Sequence, residues 1–236
     1  MAHSSKVLAV AFDAAGTLFE PKPDVASAYC DAAAQHGFRI DIDEVRRRLP
    51  TAMSKHFPQS WDEQFARTNS AKQLQQWQDL VAEVLCEVPD KSRAPLFEDL
   101  WHHFRRPDSW QLFSDVAPAL DILRSKGLRL VIASNFDERL HDVVAGIPEL
   151  KGFALIAASA DLGFQKPCSR FYRRIEELLG LPPYQLAMIG DSYRADYEGA
   201  RAAGWNSWYL DRVTEQKGGE QNADIVSSLI EFAKIL

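Results

Sequence analysis

Four short groups of polar residues, each set against an apolar run or a helical stretch, could together build a phosphate site. The first is Phe12-Asp13-Ala14-Ala15-Gly16-Thr17-Leu18, where the apolar run Val7 to Phe12 ends on an aspartate and breaks into a glycine turn. A carboxylate at the C-terminal end of a buried strand lies where open α/β sheets bind ligands, and the glycine lets backbone N–H groups approach an anion. Ala133-Ser134-Asn135 follows a second apolar run, Lys166-Pro167 precedes a helical stretch, and Gly190-Asp191-Ser192 with Asp196 follows another run. Phosphoryl transfer needs a nucleophile, charge neutralisation and a group that protonates the leaving oxygen. Asp13 is the candidate nucleophile: its attack on phosphorus gives an aspartyl-phosphate that water hydrolyses, dividing one hard displacement into two easier ones. A carboxylate and a phosphate repel each other unless a cation lies between them, so this chemistry requires a divalent ion. Mg²⁺ suits a site made of oxygens. Each group alone also has a plain reading. Asp13 and Asp191 fit helix-capping roles and Asp196 fits a first-turn acid favoured by the helix dipole. Ser134-Asn135 and Lys166-Pro167 fit ordinary loop chemistry. The order of all four, each where a strand should end or a helix begin, favours a phosphate site.

The elements that must position these groups are legible in the apolar pattern. Continuous apolar runs bounded by turn residues read as strands buried on both faces, the mark of a parallel sheet. They fall at Val7 to Phe12, Leu128 to Ala133, Phe153 to Ala157, Leu186 to Ile189 and Ser207 to Leu210. Helical patterns over Asp115 to Lys126, Ser169 to Leu179 and Arg194 to Ala203 each stop at a glycine. The alternation predicts a doubly wound α/β sheet. From about Leu18 to Phe113 the periodicity turns helical, with no convincing strand: Asp24 to His36, Asp43 to Met53, a broken Trp61 to Cys86, and Lys91 to Arg105. Trp61, Trp77 and Trp101 in this stretch suit core packing better than a stacking platform for an aromatic substrate.

Composition narrows the function classes. The 236 residues are 46% hydrophobic and 25% charged, enough to bury a full core plus an insertion. Lys and Arg number 27 against 33 Asp and Glu, a net charge of −6, so no basic field exists to hold a nucleic acid or an anionic membrane. The Arg46-Arg47-Arg48 run lies in a polar helical stretch and reads as a solvated face. Cys30, Cys86 and Cys168 are odd in number and widely spaced, which suggests reduced thiols rather than a disulfide framework or zinc site. No apolar stretch reaches the roughly 20 residues of a membrane span, and Asp13 cuts the first apolar run too short for a signal peptide. A cytoplasmic location is expected. The oligomeric state is not legible.

The set Asp13-x-x-Gly16-Thr17, Ser134-Asn135, Lys166-Pro167 and Gly190-Asp191-Ser192-x-x-x-Asp196 resembles the haloacid dehalogenase superfamily of phosphohydrolases. Within it, Trp110 through Asp211 is similar to the subgroup named for haloacid dehalogenase-like hydrolase domain-containing protein 3. The resemblance implies a Rossmann-like core, residues 1–17 and 113–236, with an inserted all-helical cap, residues 18–112, that covers the site and selects a small phosphorylated substrate. It implies Mg²⁺ held by Asp13, Asp191 and the backbone carbonyl at Ala15, with Asp196 behind them orienting water at the ion. Gly16 and Thr17 belong to the phosphate-binding turn by the same resemblance. Ser134 and the Asn135 backbone N–H would hold phosphoryl oxygens, and Lys166 would set a positive charge against Asp13 and the transition state.

One position departs from the superfamily pattern. Its common motif is Asp-x-Asp-Gly-Thr, with the second aspartate as general acid and base, and Ala15 stands there instead. A methyl group donates no proton, and positioned acid–base catalysis is worth about 10² to 10⁴ in rate. Either the substrate has a good leaving group, an acyl or aryl phosphate, or another residue supplies the acid; Glu20, His56, His102 and His103 are candidates. Phosphonoacetaldehyde hydrolases of the same superfamily also carry Asp-x-Ala-Gly-Thr and use a cap lysine as a Schiff base, for which Lys55 is the candidate here. A 2-haloacid dehalogenase needs no second aspartate. A phosphate-binding module on an enzyme fold is the remaining alternative.

Overall fold

A computed structural model describes residues 6–213 and 224–236. Chain order begins β1 (Ala9–Phe12), β2 (Phe19–Pro21), α1 (Val25–Gln35), α2 (Ile42–His56), α3 (Glu63–Ala66), α4 (Ser70–Val84), α5 (Asp90–His103) and β3 (Trp110–Leu112). It continues α6 (Val116–Ser125), β4 (Arg129–Ser134), α7 (Arg139–Gly146), β5 (Leu155–Ala158), α8 (Ser159–Leu162) and α9 (Ser169–Leu179). Then come β6 (Leu186–Gly190), α10 (Gly199–Ala202), β7 (Asn206–Leu210), β8 (Ile225–Val226) and α11 (Leu229–Ile235).

Six strands pair in parallel in the order β5-β4-β1-β6-β7-β8. Strand order runs outward from β1 through β4 to β5, then returns to β6 on the other side. The reversal places a crevice beyond the C-terminal ends of the central strands, where α/β sheets bind ligands. Phe12 is level with both Ile132 of β4 and Ile189 of β6. The residues that follow these three strands therefore emerge at one edge.

Alternation along β1 sends Val10 and Phe12 to one face, joining Leu120, Ile132, Leu140 and Phe232, and Ala9 and Ala11 to the other, joining Met188, Phe171 and Tyr172. Both faces are covered by helices, which is why these strands read as unbroken apolar runs. The helices between β2 and β3 carry their own apolar cluster, including Tyr29, Val45, Leu80, Leu96 and Leu100. Four of them start on a side chain that accepts backbone N–H bonds: Asp24, Asp41, Asp62 and Asn69.

All five expected strands are present, and α9 spans the anticipated residues. The strand-free expectation for Leu18 to Phe113 is corrected. Its two ends form an antiparallel ribbon, β2 with β3, pairing Phe19 with Leu112. Three residues per strand is too short for alternation to show in sequence. The helix expected over Arg194 to Ala203 is also different: it opens as a wide π-helical turn, Tyr193–Glu198, before α10. Among the described residues no helix is long and apolar enough to cross a membrane. Cys30, Cys86 and Cys168 are free, and burial raises the pKa of the Cys168 thiol, away from a reactive thiolate.

Candidate active site

The first loop is built by one carbonyl. Ala14 O accepts from the N–H groups of Thr17, Leu18 and Phe19, folding the chain back immediately after β1. Gly16 completes the turn with φ +90°, and a Cβ there would collide with the Asp191 carboxylate. Glycine is required at this position both by backbone conformation and by the approach of the opposite loop. Thr17, fully buried, ties the two loops together: its Oγ1 donates to Asp191 Oδ1 at 3.2 Å and accepts from the Asp191 N–H at 3.1 Å. The Asp13 N–H donates to Ile189 O, extending the sheet pairing to the carboxylate itself.

Lys166 is 1% exposed and uses all three ammonium protons. Its Nζ donates to Asp13 Oδ1 at 2.7 Å, Asp196 Oδ1 at 2.5 Å and Ala133 O at 2.7 Å. Asn135 holds the lysine's backbone on both sides: its Nδ2 donates to Lys166 O, and its Oδ1 accepts from the Lys166 N–H. Asp196 uses its second oxygen to accept from the Ser192 N–H at 2.9 Å. The widened turn after β6 directs Asp196 inward over Gly190, where a Cβ would collide with it. Ser134, buried, ends β4 beside this group.

Carboxylate oxygens of Asp13, Asp191 and Asp196 lie within 4.8 Å of one another. With all three carboxylates ionised, the Lys166 ammonium leaves two excess negative charges. Withdrawal from water, together with the neighbouring Asp13 carboxylate, raises the pKa of Asp191 to about 6. Burial also pushes Asp196 well above the usual carboxylate range, opposed by Lys166. Burial opposes the charge on Lys166, but Asp13 and Asp196 outweigh it and its pKa is raised. An all-oxygen cluster with this excess charge fits a divalent ion such as Mg²⁺.

The sequence-selected residues thus converge: Asp13, Gly16, Thr17, Ser134, Asn135, Lys166, Asp191 and Asp196 all lie around one crevice. Ala15 forms its rim and also lines a cavity of about 420 Å³ under the helices. The candidate replacement acids and the candidate Schiff-base lysine do not line that cavity. Glu20 is exposed on β2, and Lys55 and His56 both bond Glu83 Oε2, at 2.7 and 2.8 Å. His102 and His103 line a different cavity, with Asp31, Asp99 and Arg106. Burial lowers the pKa of His103. Trp77 and Trp101 line the cavity beside Ala15, whereas Trp61 is exposed.

Sequence reasoning missed one buried ion pair at this cavity. Arg139 donates through Nε to Asp137 Oδ1 at 2.8 Å and through Nη2 to Asp137 Oδ2 at 2.6 Å, both side chains almost fully buried. Trp77 Nε1 donates to the same Asp137, and the Arg139 guanidinium lies 3.6 Å from the Trp101 ring centroid. The only signal was position: Asp137 and Arg139 follow Ser134-Asn135 directly, at the start of a helix where charged residues ordinarily face water.

Residues 7–204 match the family model for haloacid dehalogenase-like hydrolases. The chain is 29% identical over 216 residues to haloacid dehalogenase-like hydrolase domain-containing protein 3 of Homo sapiens, covering 89% of this chain and 84% of that protein. It is 28% identical over 123 residues to a phosphoserine phosphatase of Thermus thermophilus, covering 52% of this chain and 49% of that one. Among solved structures, the fold is similar to a HAD phosphatase from Thermococcus onnurineus, with a TM-score of 0.67, 22% identity and 97% of each chain covered. It also matches an L-2-haloacid dehalogenase from Xanthobacter autotrophicus, with a TM-score of 0.71, 19% identity, and 97% of this chain and 98% of that one covered. With residues 7–204, most of its length, matched by the family model, the chain belongs to the haloacid dehalogenase-like hydrolases.

Proposed function

We propose that the protein is a Mg²⁺-dependent phosphohydrolase that acts on a small phosphorylated molecule through an aspartyl-phosphate on Asp13. The observation that carries this reading is the Asp13–Lys166–Asp196–Asp191 cluster with its two excess negative charges. Asp13 Oδ1 is fixed by Lys166, which leaves Oδ2 to attack phosphorus. The Asp13–phosphorus bond forms as the bond to the leaving oxygen breaks and that oxygen keeps the electron pair. Water then attacks phosphorus, releasing phosphate and restoring the Asp13 carboxylate. Lys166 neutralises charge on Asp13 and the transferring group, while Ser134 and the Asn135 backbone N–H, with the Gly16-Thr17 turn, receive phosphoryl oxygens. The Asn135 side chain has a separate task, holding Lys166 in place.

Mg²⁺ would be held by Asp13, Asp191 and the Ala15 carbonyl, and when bound it would screen the nucleophile from the phosphate. Asp196, with both oxygens engaged by Lys166 and Ser192, positions the lysine and the loop that carries Asp191. Residues 18–112 would act as the cap: Gln59 of this segment reaches Ser192 beside Asp191 at 3.4 Å.

Haloacid dehalogenation suits Ala15, because halide needs no proton. It is disfavoured by the cluster's excess negative charge, which repels a carboxylate substrate. Lys55, exposed and paired with Glu83, gives no support to a Schiff-base route. The test is Asp13→Asn with acetyl phosphate and aryl phosphates, with Mg²⁺ and with chelator. Turnover lost in both arms, with phosphate trapped on native Asp13 after rapid acid quench, is expected. Turnover that survives Asp13→Asn refutes the scheme.

A further inference from the structure

The cavity beneath the helices adjoins the Asp13 crevice: Ala15 and Asn135, which follow Asp13 and Ser134 in the two site loops, also line the cavity. Its volume, about 420 Å³, lies in the range of small-molecule sites. Its wall is aromatic, with Tyr29, Trp77, Trp101, Phe104, Trp110 and Phe136 contributing. Two of the three indole N–H groups in the wall are engaged elsewhere, Trp77 with Asp137 and Trp110 with Phe104 O. Arg139 is neutralised by Asp137 through Nε and Nη2. Asp137 uses both oxygens in doing so. The polar groups left to meet a ligand include Arg139 Nη1, which Asp137 does not engage, the Trp101 indole N–H, and the hydroxyl of Tyr29, a residue 2% exposed.

We infer that the site takes an aryl phosphate, whose phosphate lies at Asp13 and whose aromatic ring fills this cavity. The inference rests on the phosphohydrolase reading and adds the class of leaving group. Two independent features converge on it. The first is chemical: at Ala15 the chain offers a methyl where a proton donor is needed, and none of Glu20, His56, His102 and His103 lines the cavity. A phenol ionises at about 10, roughly six units below water, so an aryl oxide can leave without being protonated. As the Asp13 Oδ2–phosphorus bond forms and the phosphorus–oxygen bond breaks, the aryl oxide carries away the electron pair and takes its proton from solvent. The second feature is steric and electrostatic. A polyhydroxylated or charged leaving group would lose water in this cavity and find few partners, whereas an aromatic ring meets rings on several sides. Tyr29 and Arg139 would orient a single polar substituent on that ring.

The experiment has two parts, both on the full chain. In the first, kcat/KM is measured with Mg²⁺ for 2-naphthyl phosphate, acetyl phosphate and glycerol 3-phosphate. The expected order places 2-naphthyl phosphate at least about 10-fold above acetyl phosphate, although acetate is the better leaving group, and glycerol 3-phosphate at least about 100-fold lower still. Acetyl phosphate turned over as well as or better than 2-naphthyl phosphate overturns the aryl inference and leaves the phosphohydrolase reading standing. No turnover of any of the three removes that reading, and the aryl phosphate assignment with it. In the second part, 2-naphthol is titrated while tryptophan fluorescence is followed, since Trp77 and Trp101 line the cavity. Saturable quenching is expected, lost in Val25→Phe, which fills the cavity from α1. Unsaturable quenching, or quenching unchanged by Val25→Phe, overturns the placement of the ring.

Discussion

Replacing Lys166 by Met removes the cation that pairs with two buried carboxylates, Asp13 and Asp196, and keeps the side chain's length. In the native protein the ammonium lies 2.7 Å from Asp13 and 2.5 Å from Asp196, with no bulk water to replace it. Removing one partner of such a pair leaves uncompensated buried charge and destabilises by about 3–5 kcal/mol. For a chain of this size, about 2–4 °C of melting temperature accompanies each kcal/mol, so a loss of roughly 6–20 °C is expected near neutral pH. The loss should depend on pH. Asp196 already binds its proton more tightly in the folded state than in the unfolded chain, and without Lys166 it does so more strongly still. A folded state that holds more protons than the unfolded state loses stability as pH rises. The deficit of Lys166→Met relative to native protein should therefore be small at pH 5 and largest at pH 8. Lys166 itself, with its pKa raised, stays charged throughout that window. Scanning calorimetry of both proteins from pH 5 to pH 8, with chelator, measures it. A deficit that is flat across this range, or below about 1 kcal/mol at pH 8, would refute the claim that the lysine is there to neutralise buried carboxylates.

Other outcomes follow from the same geometry. Ala15→Asp restores a proton donor at the cavity rim and should raise kcat for aliphatic phosphate esters relative to aryl phosphates by about 10²-fold or more, read as a ratio of rates; an unchanged ratio means that leaving-group protonation does not limit. Mg²⁺ competes with protons for Asp191, whose pKa is raised to about 6, so titration calorimetry should show affinity falling up to about tenfold per pH unit below pH 6 and levelling above pH 7. Gly16→Ala forces a side chain into φ +90° and against the Asp191 carboxylate. It should lower stability by about 1–3 kcal/mol and abolish the thermal shift produced by Mg²⁺, both measurable by melting curves with and without the ion.

Local pattern carried the sheet. Strands buried on both faces must be apolar without interruption, and that pattern survives in a single sequence, so β1, β4, β5, β6 and β7 were legible within a few residues. β8, with two residues, and the β2–β3 ribbon, with three in each strand, left no periodicity to read. Asp13, Ser134 and Asp191 were legible because each follows such a strand. What the sequence hid was burial of charge. A lysine before proline reads as solvated, and nothing local shows that Lys166 reaches Asp13 across 153 residues. Asp137 and Arg139 were hidden for the same reason: their burial is decided by Trp77 and Trp101, which lie on helices far away in the chain. Those tryptophans suited core packing at helical spacing. The packing reading holds, since Trp77 and Trp101 pack against the helical cluster, and the same two residues also line the cavity.

The cluster at Asp13 repels itself, so its geometry must be imposed from outside. Sheet pairing places Asp13 level with Gly190 through the Asp13 N–H to Ile189 O bond. Arg212 grips the first loop from behind, donating to Thr17 O at 2.8 Å while its other amino group bonds Asp115. Asn135 fixes the lysine's backbone, and the Ser192 N–H fixes Asp196. None of these tethers is a carboxylate-to-carboxylate contact, and all are anchored in strands or loops that the apolar clusters on both sheet faces hold rigid. The stability that the sheet provides is what allows three carboxylates to remain within 4.8 Å of one another, at a spacing a divalent ion can use.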